Sequence, residues 1–392
     1  MYEFTRLMKK IIMRGLLFPL RIFGIKSNRI VLLNDLSKKF ADNPKAVALY
    51  LVEHYPNTFD IIFPVNDVTE TSKYATQGIK FIKFHSFKYF FYAMTAAVFL
   101  TNSGGFSFIP MRRKQFIINT FHGGGAYKKC GIYMYSNSWF FRQDLRLSSD
   151  NTNIFMSTCK RFSDVISISL LVPRNIFLEV GMPRNDCLIN INQKRQDEIR
   201  KTIGLQPDEK LVLFAPTYRK PNNNHFLDSI AIPYGLDCSR VLRALEQRFG
   251  GKWKFAVRLH PTVVNRKDFV FDNVMDLSDY DDMQELLMVT DVLITDFSSS
   301  IWDFLLTGRP TFIFAEDLDH YIKTTEVYTP VEEWPFSRAR DNSEIERNIL
   351  QFNKAEYIKN CKRHYDELGG CETGRATEII CQYIYDACYR NK

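Results

Sequence analysis

Asp291-Val-Leu-Ile-Thr-Asp-Phe-Ser-Ser-Ser-Ile-Trp-Asp303 passes from a short apolar, β-branched run through a turn of three serines into a helical segment. A run of this length closed by turn residues reads as a buried strand. A buried strand feeding straight into a helix is half of a βαβ unit, which calls for a parallel neighbour. Working outward, the pattern repeats on both sides. Leu211–Ala215, Phe255–Leu259, Val292–Thr295 and Thr311–Phe314 read as strands of one series. Ile30–Leu33, Asp60–Val65, Lys80–Phe84, Ala97–Thr101, Phe116–Phe121, Ile154–Thr158 and Ile176–Val180 form an earlier one. Helical patterns such as Ser37–His54, Arg240–Phe249 and Met283–Val289 lie between strands. The polar stretch Asn190–Glu209, flanked by Pro183 and Pro207, separates the series. The expected fold is therefore α/β: two doubly wound parallel-sheet domains facing a cleft, with ligands beyond the carboxyl ends of the strands. The boundaries are 27–186 for the first domain and 187–392, with its terminal helices, for the second.

The 392 residues carry a formal charge of +8, of which residues 1–26 hold a net +5. A basic balance suits nucleic acid, an anionic membrane or phosphorylated substrates. Concentration of the excess at one end makes nucleic acid the weakest of these. In that end Phe4, Leu7, Met8, Ile11 and Ile12 recur at helical spacing, with Arg6, Lys9 and Lys10 set opposite. Such a basic amphipathic segment is expected to lie on an anionic membrane surface, and Arg14 and Arg21 break it too often for a span. Residues 89–111 carry no charge, but their polar tail, Thr101-Asn-Ser-Gly-Gly105, predicts a buried helix running into a strand instead of a span. Eight scattered cysteines without a CxxC pair read as reduced thiols.

Four motifs carry chemistry. Asn119-Thr-Phe-His-Gly-Gly-Gly-Ala-Tyr-Lys-Lys-Cys-Gly131 ends a strand at His122, placed as a general base. Gly123, Gly124 and Gly125 allow close backbone approach, and Lys128 and Lys129 can hold phosphate. Phe255-Ala-Val-Arg-Leu-His-Pro261 delivers Arg258 and His260 on one face to a strand end. In Asp291–Asp303, Thr295, Asp296, Ser298, Ser299 and Ser300 surround a helix start, where Ser298 or Ser299 caps and phosphate can bind. Leu213-Phe-Ala-Pro-Thr-Tyr-Arg219 places Thr217 and Arg219 after a strand. The bland alternatives are a structural histidine, a plain cap and a surface arginine. Asp279, Asp281 and Asp282 lack metal-ligand spacing, so no metal is expected, and no cofactor is required.

In this order the motifs resemble the CDP-glycerol glycerophosphotransferases, the teichoic-acid primase and polymerase family, from roughly residue 95 to 385. The His122–Gly131 stretch is similar to the family's WHG(T)PLKK-G motif. Gly181-Met-Pro-Arg-Asn-Asp186, which contains Arg184, looks like its G-x-PRND. Phe214–Arg219 looks like its YAPT(W/F)R, Arg258-Leu-His-Pro261 like its RLHP, and Asp291–Asp303 with Arg309-Pro310 like its DVLITDYSS–DF–RP run. Departures are Phe121 for the usual Trp, a triple glycine for Gly-Thr-Pro, and Thr373–Thr377 without the family's Lys and Ser. The resemblance implies a GT-B-like architecture, and CDP-glycerol or a related CDP-polyol as donor in the second domain. It also implies a polymer or lipid-linked acceptor of teichoic or capsule type, and peripheral attachment at the cytoplasmic face of the membrane. His122 and His260 are the catalytic pair it points to, with Arg184 on the acceptor side. The expected reaction moves a polyol phosphate and releases CMP. The alternatives are a nucleotide-sugar glycosyltransferase of the same architecture and a non-catalytic membrane-surface binding protein.

Overall fold

The computed structural model describes residues 2–69, 71, 78–217, 235–259, 274–324 and 326–390. The chain divides into two compact units, residues 1–186 with 368–392, and residues 187–367.

The first unit is built on seven strands: β1 (Lys26–Leu33), β2 (Asp60–Val65), β3 (Ile79–Lys83), β4 (Ala96–Thr101), β5 (Phe116–Asn119), β6 (Ile154–Ser157) and β7 (Phe177–Glu179). They pair in the order β3-β2-β1-β4-β5-β6-β7, all parallel. Alternation along β1 serves two faces. Ile30 and Leu32 point to a core shared with Val47 and Leu51 of helix Asp42–His54, while Val31 and Leu33 meet Tyr89, Ala93 and Met94 of helix Phe87–Thr95. That second helix runs directly into the fully buried β4, as the uncharged stretch predicts. Among the described residues no helix is long and apolar enough to cross a membrane.

The second unit holds β8 (Glu209–Ala215), β9 (Lys252–Val257), β10 (Met275–Asp276), β11 (Val292–Thr295), β12 (Thr311–Phe314) and β13 (Ser337–Ala339). Their order is β10-β9-β8-β11-β12-β13, again parallel. In both sheets the order reverses beside the first strand, between β1 and β4 and between β8 and β11. Loops diverge at such a switch point and leave a crevice there.

Several expectations differ from the structure. Helix Ser37–His54 begins only at Asp42, because the Asn34 amide holds Ser37, Lys39 and Ala41 in a loop and Asp42 takes φ +64°. The terminal helix, Ala376–Tyr389, belongs to the first unit, not to a second domain reaching residue 392. Its stripe of Ala376, Ile380, Cys381, Ile384 and Cys388 closes the core over β1 and β4. Its start is capped from afar by the Asp186 carboxylate, which accepts from the Ala376 and Thr377 amides at 3.0 and 2.7 Å.

A third difference concerns helix Tyr2–Leu17, whose cations mostly face inward. Arg6 and Lys10 both pair with buried Asp144 of helix Trp139–Ser149. Arg14 donates to the carbonyls of Ser107 and Ile109. Leu7 and Leu17 are buried, while Tyr2, Phe4, Ile11, Ile12 and Leu16 are exposed, Leu16 to 69%.

Candidate active site

The strand ends nearest the β1/β4 switch point supply a polar cluster. Asn34 and Asp35 follow β1, Asn102 and Ser103 follow β4, and His122 follows β5. The expected strand Phe116–Phe121 stops at Asn119, because the Asn119 side chain accepts the Phe121 amide and Phe121 turns to φ +53°. That turn sets His122 beyond the sheet, its ring stacked on Phe121 at 4.3 Å.

His122 Nδ1 lies 3.1 Å from the Asn102 carbonyl oxygen. A carbonyl only accepts, so Nδ1 carries the proton and Nε2 keeps its lone pair. Burial pushes the imidazole below its ordinary value of 6.5; the carbonyl bond and the Asp42 and Asp35 carboxylates oppose that, and the Arg184 guanidinium adds to it. The balance favours a neutral ring with a basic Nε2 near neutral pH.

Asn102 is the hub of the surrounding network. Its Oδ1 accepts the Asp35 amide at 2.8 Å, and its Nδ2 donates to Asn34 Oδ1 at 2.9 Å and Asp42 Oδ2 at 2.7 Å. Arg184 Nη1 bridges Asp42 Oδ1 at 3.0 Å and the His122 carbonyl at 2.8 Å. Asn43 accepts the Arg184 amide and donates to the Phe121 carbonyl. Asn185 and Asp186 tie the same turn to the terminal segment, through Glu372 and the helix start at Ala376. The Pro183–Asp186 motif thus joins the histidine to the chain's last helix. Gly105 completes the cradle: a Cβ there would meet the Asp35 carboxyl at 2.1 Å.

Of the triple glycine, Gly125 alone takes a left-handed backbone, at φ +75°, and its amide donates to Thr158 Oγ1. Gly124 and Gly125 are buried and Gly123 is half-buried. Lys128 is exposed, and the Lys129 ammonium lies 5.7 Å from the Tyr133 ring centre.

In the second unit the β8/β11 switch point is bridged by Asp296, whose carboxylate accepts the Thr217 amide at 2.9 Å and the Thr217 hydroxyl at 2.8 Å. Thr295 Oγ1 donates to the Ala215 carbonyl. Both side chains thereby fix the crevice floor. Ser298 Oγ accepts from the Ser300 amide and hydroxyl, whereas Ser299 makes no side-chain cap. Arg258 Nη2 donates to the Tyr280 carbonyl at 3.0 Å. Arg219 and His260 lie outside the described residues.

Asn102, Asp42, Asn34 and Asp35 escape the motif search. Their signal in the sequence is slight: polar residues directly after two apolar strands, in Leu33-Asn-Asp35 and Thr101-Asn-Ser103.

The family model for the CDP-glycerol:poly(glycerophosphate) glycerophosphotransferases matches residues 16–386. The chain belongs to that family. The teichoic acid glycerol-phosphate transferase of Staphylococcus aureus is 26% identical over 366 residues, 89% of this chain and 90% of that protein. The teichoic acid poly(glycerol phosphate) polymerase of Bacillus subtilis is 26% identical over 93% of this chain, which spans 49% of that longer protein. A solved structure of the wall teichoic acid polymerase TagF superposes with a TM-score of 0.81 at 22% identity, over 99% of this chain and 98% of that one. The GT-B-like fold expected from the motifs is therefore the fold of this glycerophosphotransferase, a CDP-glycerol enzyme of polymer synthesis.

Proposed function

We propose that this glycerophosphotransferase uses His122 as general base to join glycerol phosphate to a polymer or lipid-linked acceptor at the cytoplasmic face of a membrane. The hydrogen bond from His122 Nδ1 to the Asn102 carbonyl carries the reading, since it leaves Nε2 able to take a proton. The acceptor oxygen attacks the glycerol-bearing phosphorus of CDP-glycerol. Its proton passes to Nε2, the bond from that phosphorus to the bridging oxygen breaks, and CMP leaves with the electron pair. Gly123, Gly124, Gly125, Lys128 and Lys129 serve the acceptor or its phosphates, and Arg184 supports them through the His122 carbonyl. Arg258, His260, Arg219, Ser298, Ser299 and Ser300 hold the donor diphosphate, and Thr217, Thr295 and Asp296 shape its floor. Incubation with CDP-glycerol, CDP-ribitol and nucleotide sugars tests the donor. CMP release from CDP-glycerol is expected, and turnover of a nucleotide sugar with release of a nucleoside diphosphate overturns the reading.

The Asp42 carboxylate favours the imidazolium and Arg184 disfavours it. Asp42→Asn leaves Arg184 uncompensated, so His122 becomes harder to protonate. A base acts when neutral, so the acid limb of kcat/KM, already expected below 6.5, should move to lower pH in this variant. A limb that stays in place or rises separates Asp42 from the titrating group.

Membrane attachment is assigned to helix Tyr2–Leu17. Its outward side shows Phe4, Ile11, Ile12 and Leu16, and Phe4 meets exposed Phe140 at 5.4 Å beside exposed Trp139. An outward apolar side with neighbouring aromatics suits the interface of a bilayer. Burial of one such aliphatic side chain is worth about 1.5–3 kcal/mol. Ile12→Glu with Leu16→Glu should therefore lower partition onto vesicles by more than about a hundredfold while CD spectra stay unchanged. Undiminished sedimentation with vesicles would remove this helix from the membrane contact.

A further inference from the structure

An open recess of about 800 Å³ lies in the first unit; its lining includes Arg21, Arg112, Arg113, Lys114 and Asn151 together with the apolar Ile25 and Met111, and holds neither His122 nor a carboxylate. Two of the cations are held by backbone. Arg21 Nη2 donates to the Pro110 and Met111 carbonyls at 2.9 and 2.8 Å, and Arg112 Nη2 donates to those of Leu20 and Phe23 at 3.2 and 2.7 Å. Carbonyl anchoring fixes a guanidinium in place without neutralising it. The buried Arg112 Nε–H has no acceptor among the described residues. Burial lowers the proton affinity of Arg112, and Arg21 lowers it further, as expected where like charges gather without an acid. Arg113 and Lys114 are exposed on the rim.

The border of the recess gives the second observation. The short helical turn Phe18–Ile22 carries Arg21 into it and shows Phe18 and Ile22 to solvent, Ile22 to 82%, with Phe23 exposed next to them. The Arg21 guanidinium sits 4.8 Å from the Phe18 ring centre. Four cations beside an apolar rim continuous in sequence with the membrane-facing helix are arranged as an interface is: acyl chains on one side, phosphate on the other.

We propose that this recess binds the phosphodiester headgroup of an anionic membrane lipid. The proposal rests on the membrane reading of helix Tyr2–Leu17 and adds a lipid-selective site to it. Arg21 and Arg112 form the fixed floor, and Arg113 and Lys114 close over the phosphate oxygens. Arg offers paired donors to two such oxygens, and Lys adds a point charge. The site also fixes which way the enzyme lies on the membrane, because it anchors the segment after the helix as well as the helix itself.

The test is sedimentation of the full chain with vesicles of phosphatidylcholine alone and of phosphatidylcholine with an equal part of phosphatidylglycerol. Wild type should prefer the anionic vesicles. A cation at an anionic surface is worth about fivefold in partition, so Arg113→Ala with Lys114→Ala should reduce that preference about twentyfold or more. Binding to the neutral vesicles should be unchanged, because the apolar helix face is untouched. Lys9→Ala, which removes an exposed charge from the same helix outside the recess, serves as control and should cost less than Arg113→Ala. The proposal is overturned if the double variant keeps the preference, if Lys9→Ala and Arg113→Ala cost the same, or if wild type shows no preference. It is also overturned if the double substitution abolishes binding of soluble poly(glycerol phosphate) fragments but leaves lipid preference intact. Wild type that binds neither vesicle sinks the membrane reading itself, a distinct outcome.

Discussion

His122→Ala is expected to lower kcat by about 10²–10⁴, the usual worth of a positioned general base, while the KM for CDP-glycerol changes little. The split follows from where the residue sits. In the proposed reaction the imidazole takes the acceptor's proton while the donor is assigned to other residues, so its removal takes away a proton acceptor and leaves the assigned donor contacts in place. The fold should tolerate the change. The residue is half-buried, and its ring makes one hydrogen bond to a backbone carbonyl and stacks on Phe121. Loss of these contacts should cost about 1–2 kcal/mol and a modest fall in Tm. A steady-state assay of CMP release beside a thermal melt measures both. Turnover within about tenfold of wild type would remove His122 from the base role. A parallel loss of donor affinity would place it on the nucleotide instead.

Such a site is only partly visible in the chain. Strands buried on both faces announce themselves by uninterrupted apolar runs: Asp60–Val65, Val292–Thr295 and Thr311–Phe314 appear in the structure with the expected bounds. The edge strands β10, Met275–Asp276, and β13, Ser337–Ala339, escape notice, because two or three paired residues without an apolar run leave no pattern, whereas the edge strands β3 and β7 lie in such runs. The order of strands was not legible either; it is set by crossovers, which leave no local mark. His122 shows itself because a histidine between a strand and three glycines is conspicuous. Asn102 does not. An asparagine after a strand is common, and its meaning appears only when Asn34, Asp35 and Asp42 arrive from β1 and the following helix start. Helix Tyr2–Leu17 displays the same limit. Its cationic and apolar stripes are both plain in sequence, but which one faces the protein depends on Asp144 and on the carbonyls of Ser107 and Ile109. Those partners are about a hundred residues away in the chain.

Asn102→Ala is expected to destabilise the first unit by about 3 kcal/mol or more, although the carbonyl that orients His122 remains in place. The reason is that the side-chain amide serves three partners at once: it accepts the Asp35 N–H and donates to Asn34 and to Asp42. Its removal leaves the buried Asn34 amide oxygen, an Asp42 carboxylate oxygen and the Asp35 backbone donor each one bond short. Asn102→Asp separates charge from shape. The new carboxylate can still accept the Asp35 N–H, but its second oxygen faces two acceptors, Asn34 Oδ1 and the Asp42 carboxylate. Near neutral pH this should be worse than alanine, because a buried carboxylate is set beside the Asp42 carboxylate on top of the lost donor. Burial and Asp42 raise the folded-state pKa of the introduced acid above its unfolded value. The folded state therefore holds the proton more tightly, and the penalty should shrink as pH falls through that raised value, when the protonated oxygen can again donate. Urea melts of the three proteins at neutral and mildly acidic pH measure this. Asn102→Asp should gain on Asn102→Ala toward acid, while the wild type moves by less. If the two variants keep the same order and spacing at both pH values, Asn102 fills space, and the network around His122 owes its shape to Arg184 and Asp42 instead.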